Sequence, residues 1–400
     1  MRTRLIDALR VLAVAGLVAG ALPASAQDGG PNRTRPALEP FVARGDAAGA
    51  VVLVTDRDEI LEHYAIGYAD LAGARPMRED AVFWLASTYK PFVGTAVMML
   101  VEEGRIDLDA PVAAYLPGFD PPLGVTDPAP GAAATRPPSR PVTVRMLLSH
   151  TGGINPSSPP VREGPPPPTL EELAAAYATG PLLFEPGTRF SYSNASVDTA
   201  ARIVEVVSGM PFDRFLRTRL LDPLGMDETS FCLGADRRGR RPTSYYVPEG
   251  ATALAPAPTA FFDYALSDSC EDHRAFPTMF STAADLARFA RMLLGGGTLD
   301  GRRYLSQASI DEMTRSQLPE EVRLTVPGSG PPDYVSYGLG WGVSLTGSYF
   351  HPGVGMTDII VDPTHRIATI LLMQSTGPAS FGARAALIAA SEASYAPRRP

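Results

Sequence analysis

The chain has a single lysine, Lys90, among its 35 Lys and Arg residues. Its formal net charge is −8 at pH 7, and arginines cluster only over residues 237–241. An acidic chain without a basic face lacks the charge pattern that nucleic-acid binding requires. We therefore expect a small-molecule substrate and no nucleic-acid partner.

Cysteine is almost as scarce. The two cysteines, Cys232 and Cys270, form no metal-ligand spacing with histidine, and the chain has no glycine-rich phosphate loop. We therefore expect no metal and no nucleotide cofactor. In an exported protein the two cysteines could form a disulfide, but two buried thiols would fit the sequence nearly as well.

Long apolar runs are absent except near the start. Three arginines precede an apolar run over 11–22, and the small residues Ala24-Ser25-Ala26 follow it. This pattern is typical of a secretory signal peptide, and the run is too short to span a bilayer. We predict a signal peptide over 1–26, no membrane span and a periplasmic or extracellular location. A frayed N-terminal helix is the alternative.

Apolar periodicity indicates an α+β fold in one domain over 36–395. Strand patterns occur near both ends of the domain, and helical patterns that stop at glycine lie between them. We expect one antiparallel sheet from about 36–80 and 335–395, with a mainly helical region inserted over about 85–325. The predicted strands are 49–54, 60–68, 337–345, 357–361 and 367–373; the main predicted helices are 93–103, 197–207, 283–294 and 380–393.

The single lysine follows a serine by three residues. On a helix, Ser87 and Lys90 would lie one turn apart on one face, with Cβ atoms about 5–6 Å apart. A guanidinium keeps its proton in a protein, whereas a lysine can lose its proton when burial lowers its pKa. The pair therefore predicts a serine nucleophile with a lysine general base. The spacing alone is a weak signal, because serine is common.

A second motif is Tyr192-Ser193-Asn194. A tyrosine oxygen beside the serine and lysine could carry a proton to the leaving group, and the Asn194 amide could orient the lysine. Ser193, Asn194 or Ser196 could instead simply cap the helix that begins near residue 197.

A third motif is His351-Pro352-Gly353-Val354-Gly355, which we place on a turn between two strands. Glycines beside a strand allow a substrate backbone to approach closely. A histidine on such a turn is more often structural than catalytic.

Ser-x-x-Lys, Tyr-x-Asn and a basic residue two before a glycine, in this order, resemble the serine β-lactamase and penicillin-binding protein superfamily. The closest branch is that of the class C β-lactamases and family VIII carboxylesterases. The stretches 142–153, 223–226, 280–286 and 337–342 support the likeness. The resemblance implies an antiparallel sheet flanked by helices, packed on a helical domain, with the active site between them.

The resemblance also implies roles for the motif residues. Ser87 is the acylated nucleophile, Lys90 its base and Tyr192 the second proton carrier. The substrate-binding residues are Asn194, His351, Gly353 and Val354, with the N–H groups of Ser87 and Val354 as the oxyanion hole.

The third motif departs from the Lys-Thr-Gly usual in β-lactam-active members, since His351 and Pro352 replace the cation and the hydroxyl. We therefore expect weak binding of a substrate carboxylate. If the pKa of His351 is near its ordinary 6.5, the imidazole becomes cationic below that pH.

We therefore expect an exported serine hydrolase that acts on carboxylic esters or small amides. A β-lactamase or a D-alanyl-D-alanine carboxypeptidase is the alternative. A catalytically silent, penicillin-binding-like cell-wall-binding protein is the alternative of another class. The oligomeric state stays open.

Overall fold

The structure of the chain is a computed structural model, and it describes residues 32–120, 123–126, 135–155, 168–257, 279–322, 324 and 334–395. The proposed signal peptide and Cys270 lie outside the described residues. Cys232 is buried and disulfide-bonded, which is the alternative that the sequence left open beside free thiols, and its pairing with Cys270 stays a prediction. Within the described ranges, no helix is both long and apolar enough to cross a bilayer.

Helices and short strands alternate along the middle of the chain, and longer strands lie toward both ends. The helices are α1 (Arg35–Ala43), α2 (Lys90–Glu102), α3 (Val144–Leu148), α4 (Leu170–Tyr177), α5 (Asn194–Ser208), α6 (Phe212–Leu216), α7 (Asp222–Leu224), α8 (Ala235–Arg238), α9 (Ala283–Leu294), α10 (Gln307–Thr314) and α11 (Pro378–Tyr395). Short 3₁₀ segments are Ala86–Tyr89, Val112–Ala114 and Pro117–Phe119, and Arg217–Leu221 is a π-helical turn.

The strands are β1 (Gly49–Thr55), β2 (Ile60–Asp70), β3 (Arg75–Pro76), β4 (Phe83–Trp84), β5 (Val125–Thr126), β6 (Thr135–Arg136), β7 (Tyr245–Tyr246), β8 (Ala255–Pro256), β9 (Phe280–Ser281), β10 (Thr298–Leu299), β11 (Arg302–Arg303), β12 (Tyr334–Tyr337), β13 (Gly342–Ser344), β14 (Tyr349–Gly353), β15 (Thr357–Asp362), β16 (Ile367–Met373) and β17 (Ser375–Thr376).

The main sheet combines both ends of the described chain. Its strand order is β12-β13-β14-β15-β16-β1-β2-β3, and neighbouring strands run antiparallel. The first strand, β1, therefore lies between β2 and β16, with Val52 opposite Tyr64 on one side and Leu371 on the other. The predicted α+β class, with a sheet assembled from both ends, is confirmed.

Strand β1 is buried on both faces because its side chains alternate between two cores. Val51 and Leu53 belong to the large core shared with α2 and α9. Val52 and Val54 belong to a smaller core that contains Leu38 of α1 and other residues from α11. The continuous apolar run of β1 thus fits a central strand covered by helices on both sides.

Local signals set several helix ends. The Ser193 hydroxyl accepts a hydrogen bond from the Ser196 N–H at the start of α5, and α5 ends at Gly209 with φ 75°. Thr282 caps α9 in the same way through the Asp285 N–H. Because Ser193 is the cap, the Asn194 side chain is available for another contact.

The strand predicted over 337–345 is wrong as a single element. The chain forms β12 and β13 there, joined by a glycine-containing turn. Two turn glycines approach other segments closely: a Cβ on Gly338 would lie 2.1 Å from the Met313 carbonyl oxygen, and one on Gly340 would lie 2.8 Å from the Lys90 carbonyl oxygen. The turn thus packs against the first turn of α2.

We predict that Gly340→Ala destabilises the fold more than a matched glycine substitution does. Gly340 has φ 84°, which costs an alanine about 1–2 kcal/mol, and the clash with Lys90 should add about 1–3 kcal/mol. Gly104→Ala is the control, because Gly104 has φ 69° and its Cβ would meet no described atom within 4 Å. Urea unfolding of both variants gives the comparison; equal losses would refute the close approach to Lys90.

Candidate active site

Ser87 lies on a turn that is anchored to the main sheet. This nucleophile turn (residues 85–89) follows β4 and leads directly into α2, and Ala86 has φ 48° in the left-handed region. The Thr88 hydroxyl lies 2.7 Å from the Thr357 carbonyl oxygen, and the Thr357 hydroxyl donates to the Leu85 carbonyl at 2.8 Å. Backbone strain beside a nucleophile persists because such contacts stabilise it.

The Lys90 amine is buried next to the serine. Its Nζ lies 3.1 Å from Ser87 Oγ and 2.8 Å from Asn194 Oδ1. It also lies over the rings of Tyr89 and Tyr192, 4.8 and 4.7 Å from their centroids. Burial lowers the pKa of Lys90 to about 7, against a smaller opposing effect of Asp198. A large fraction of the amine is therefore neutral near pH 7 and can accept the serine proton.

Tyr192 contacts the same serine from the loop before α5. Its ring is 38% exposed toward the cleft, while the burial of its hydroxyl raises its pKa above the ordinary value; a hydrogen bond to Ser87 acts in the opposite direction. A phenol with a raised pKa stays protonated near neutral pH. Tyr192 can therefore donate or relay a proton, whereas Lys90 is the better free base.

Two buried histidines connect the Tyr192 loop with β14 through Tyr337. His150 Nδ1 accepts the Ser193 N–H at 3.2 Å, so His150 Nε2 carries the proton and donates to the Tyr337 hydroxyl at 3.3 Å. The Tyr337 hydroxyl then donates to His351 Nε2 at 2.8 Å, and His351 Nδ1 donates to the Pro352 carbonyl at 3.1 Å. This chain of donors and acceptors is complete with both imidazoles neutral.

The placement of His351 differs from the sequence-based expectation in two ways. It lies within β14, not on the turn after it. Burial, together with the charge of Lys90, lowers its pKa well below 6.5, so the expected cation just below pH 6.5 does not form.

The neighbouring glycine also has a different contact from the one expected. A Cβ on Gly353 would lie 2.1 Å from the Leu85 carbonyl oxygen and 2.4 Å from Thr357 Oγ1. The close approach that Gly353 permits is thus to the nucleophile turn of the protein itself. Val354 follows on the turn, and it is 54% exposed at the cleft.

A cavity of about 220 Å³ opens beside Ser87. Tyr192, His351, Gly353 and Val354 all contribute to its lining, so the structure brings every predicted site residue to its wall except Lys90, which is buried, and Asn194, which is exposed. No described residue of the lining is charged at neutral pH. The remaining lining residues are Tyr337, Gly342, Pro352, Gly355, Met356, Ser375, Thr376, Gly377 and Phe381.

The sequence analysis missed Thr88, His150, Asp198, Tyr337 and Thr357. Asp198 is fully buried one turn along α5 from Asn194, and burial raises its pKa to about 7. His150 and Tyr337 lie inside the stretches that carry the family resemblance, so their position in those stretches could have identified them as candidate site residues. Nothing in the spacing of Thr357 or Asp198 distinguishes them from core residues.

One group of described residues has a geometry that could hold a metal ion: Asp362, His365 and Glu392. Asp362 lies at the other end of β15 from Thr357, away from the serine. Its Oδ1 already accepts the N–H groups of Thr364 and His365, and its Oδ2 contacts His365 Nδ1 at 2.5 Å. Hydrogen bonds within the turn thus already occupy both oxygens of Asp362 and Nδ1 of His365.

Comparison with known proteins agrees with the geometry. A family model described as Beta-lactamase matches residues 35–393. An uncharacterized protein of Mycobacterium tuberculosis (strain CDC 1551 / Oshkosh) is 31% identical over 377 residues, which cover 86% of this chain and 90% of that protein. Esterase EstB of Burkholderia gladioli is 36% identical over 217 residues, 50% of this chain and 51% of that protein.

A solved structure, that of EstCE1, "a hydrolase with promiscuous acyltransferase activity", has a TM-score of 0.70 at 24% identity. The match covers 89% of this chain and 97% of that one. The fold, the site geometry and these relatives together define a serine hydrolase. The chain belongs to the Beta-lactamase family, and the resemblance predicted from its motifs is confirmed.

We predict that Lys90→Arg lowers kcat/KM about 10²–10⁴-fold, the range for positioned proton transfer, because a guanidinium cannot accept the serine proton. Lys90→Met, which removes charge and base together, is the matched control and should lose a similar factor. Hydrolysis of a p-nitrophenyl ester measures both. Retention of more than about a tenth of wild-type activity by Lys90→Arg would exclude Lys90 as the base.

Proposed function

We propose that the chain is an exported serine hydrolase that forms an acyl-enzyme on Ser87 and cleaves uncharged carboxylic esters or small amides. The observation that carries the proposal is a lysine amine whose pKa is lowered by burial to about 7, 3.1 Å from the hydroxyl of Ser87 at the wall of an uncharged cavity. The similarity to esterase EstB supports the same substrate class.

In the first half of the reaction, the Ser87 oxygen attacks the acyl carbonyl while its proton moves to Lys90 Nζ. The Lys90 ammonium then lies over the faces of two tyrosine rings, which stabilise a cation. Tyr192, protonated and hydrogen-bonded to Ser87, donates a proton to the departing alkoxide or amine and is recharged from Lys90.

In the second half, water replaces the alcohol. The same groups move its proton in reverse, and Ser87 leaves as the acyl group is released as an acid. The N–H groups of Ser87 and Val354 are the proposed donors to the carbonyl oxygen in both halves. The close packing of Gly353 on Leu85 supports this role, because it keeps β14 beside the nucleophile turn.

The preference for uncharged acyl groups follows from the cavity wall. A carboxylate that enters an uncharged, mainly apolar cavity loses its water without gaining a cation. His351 supplies no cation near neutral pH, since its low pKa keeps it neutral and its two nitrogens are occupied by Tyr337 and Pro352.

The β-lactamase, the D-alanyl-D-alanine carboxypeptidase and the silent cell-wall-binding protein remain outcomes of the same experiments. Hydrolysis of nitrocefin or of a D-alanyl-D-alanine peptide in preference to esters would select one of the first two. Failure of Ser87 to react with a fluorophosphonate probe would select the third.

We predict that the wild type prefers p-nitrophenyl butyrate to nitrocefin, by kcat/KM, by the same factor at pH 6 and pH 8. The factor should be constant because His351 stays neutral across this range. A relative gain of nitrocefin at pH 6 would mean that His351 titrates there after all, and an overall preference for nitrocefin would replace the esterase proposal with a β-lactamase.

His351→Lys, compared with His351→Gln, gives the matched pair for that measurement. The lysine places an ammonium where the Tyr337 hydroxyl and the Pro352 carbonyl can both accept its protons. At pH 6 it should improve nitrocefin hydrolysis relative to the ester by roughly 1–3 kcal/mol, the range for hydrogen bonds to charged groups. The uncharged glutamine should give no such gain.

Export is part of the proposal and rests on the N-terminal sequence pattern alone. We expect the protein produced in a bacterial host to be found in the periplasm or medium with residues 1–26 removed. Fractionation followed by mass spectrometry of the N-terminus is the test. Retention of the intact N-terminus in the cytoplasm would remove export from the proposal.

A further inference from the structure

Asp198 is a buried carboxylate that the acyl-transfer scheme above does not use. It is 1% exposed, on the same face of α5 as Asn194 and one helical turn further along. Asn194 Oδ1 contacts Lys90 Nζ at 2.8 Å, so Asp198 lies one helical turn from the residue that holds the amine, and Asp198 does not line the substrate cavity.

The hydrogen bonds of Asp198 are incomplete. Its Oδ2 accepts from the Tyr177 hydroxyl at 3.2 Å, but its Oδ1 is buried without a partner among the described residues, as is the hydroxyl of Tyr89. A structural tie between α4 and α5 needs only an acceptor, and an asparagine would supply it without the cost of burying a charge. A purely structural role therefore leaves the carboxylate unexplained.

The Asp198 carboxylate stabilises the protonated form of Lys90. Each residue favours the charged form of the other, although Lys90 Nζ forms no ion pair with a described carboxylate. The titratable groups around the pair come from several elements: Tyr89 from the nucleophile turn, Tyr177 from α4, Tyr192 from the loop before α5, His150 from the segment after α3 and His351, which is also neutral, from β14. His150 is neutral, and the tyrosines are protonated near pH 7.

We propose that Asp198 is a positioning residue for the reaction, whose carboxylate stabilises the Lys90 ammonium that forms when Ser87 gives up its proton. The Ser87 O–H bond breaks, a Lys90 N–H bond forms, and the new positive charge interacts with the Asp198 carboxylate, which is the main form above the Asp198 pKa of about 7, in the same low-dielectric interior. Asn194 orients the amine, and Asp198 supplies its counter-charge. The inference rests on the proposed function, because it assigns a partner to the base of that reaction.

The test is the pH profile of kcat/KM for p-nitrophenyl butyrate. In the wild type, activity should rise with pH through an apparent pKa of about 7, since Lys90 must lose its proton to act as a base. In Asp198→Asn, the amine loses the charge that raises its pKa. The acid limb should therefore move down by about one pH unit, and the plateau should fall about tenfold or more because the ammonium is less stable.

Two further variants separate this role from a structural one. Tyr177→Phe keeps the carboxylate but removes the hydrogen bond that favours its charged form, so the limb should move in the same direction by less. Asp285→Asn removes another buried carboxylate, which accepts from the Thr229 hydroxyl and the Glu228 N–H and does not contribute to the pKa shift of Lys90. It should leave the limb in place.

An unmoved or raised acid limb in folded Asp198→Asn would overturn the proposal. If circular dichroism shows that this variant does not fold, the limb of Tyr177→Phe decides alone. If the wild type does not hydrolyse esters, the proposed function is wrong, but the role of Asp198 can still be tested. The same pH profiles are then measured as rates of Ser87 labelling by a fluorophosphonate, because this labelling requires only the nucleophile and its base.

Discussion

The site depends on keeping the Lys90 amine out of water. Burial lowers its pKa from 10.5 to about 7, which corresponds to a difference on the order of 5 kcal/mol between its two protonation states. The first turn of α2 must therefore be covered on every side. The rings of Tyr89 and Tyr192 cover the amine, and the turn containing Gly340 covers the helix backbone at contact distance. The surrounding packing thus determines the chemistry as well as the stability.

The same constraint explains why the substrate cavity can be uncharged. The lysine of the Lys-Thr-Gly motif is absent from β14. His351 takes its place there, and it is neutral and hydrogen-bonded. A second cation near Lys90 would lower the pKa of the base further and would gain little from an apolar wall. The proposed counter-charge for the Lys90 ammonium is Asp198, which does not line the cavity.

Local spacing predicted the contact between Ser87 and Lys90, because that contact spans one helical turn; the family resemblance was needed to make this weak signal specific. It could not predict Thr88 as an anchor, since its partner Thr357 is 269 residues away. His351 was placed on a turn because proline and glycine follow it. The strand continues through Pro352 because β13 pairs with β14 only as far as Phe350, so no ladder bond from Pro352 to β13 is lost.

The sheet order has a consequence for how the molecule is made. Strand β1 leaves the ribosome more than 300 residues before β16, which is one of its two neighbours in the sheet. The nucleophile turn likewise needs Thr357 to hold it. Contacts this distant in sequence form slowly, because a long loop must close before they contribute. A nascent chain therefore carries its reactive serine and lysine for most of its synthesis without a site, and hydrolytic activity begins only when the last strands close the sheet.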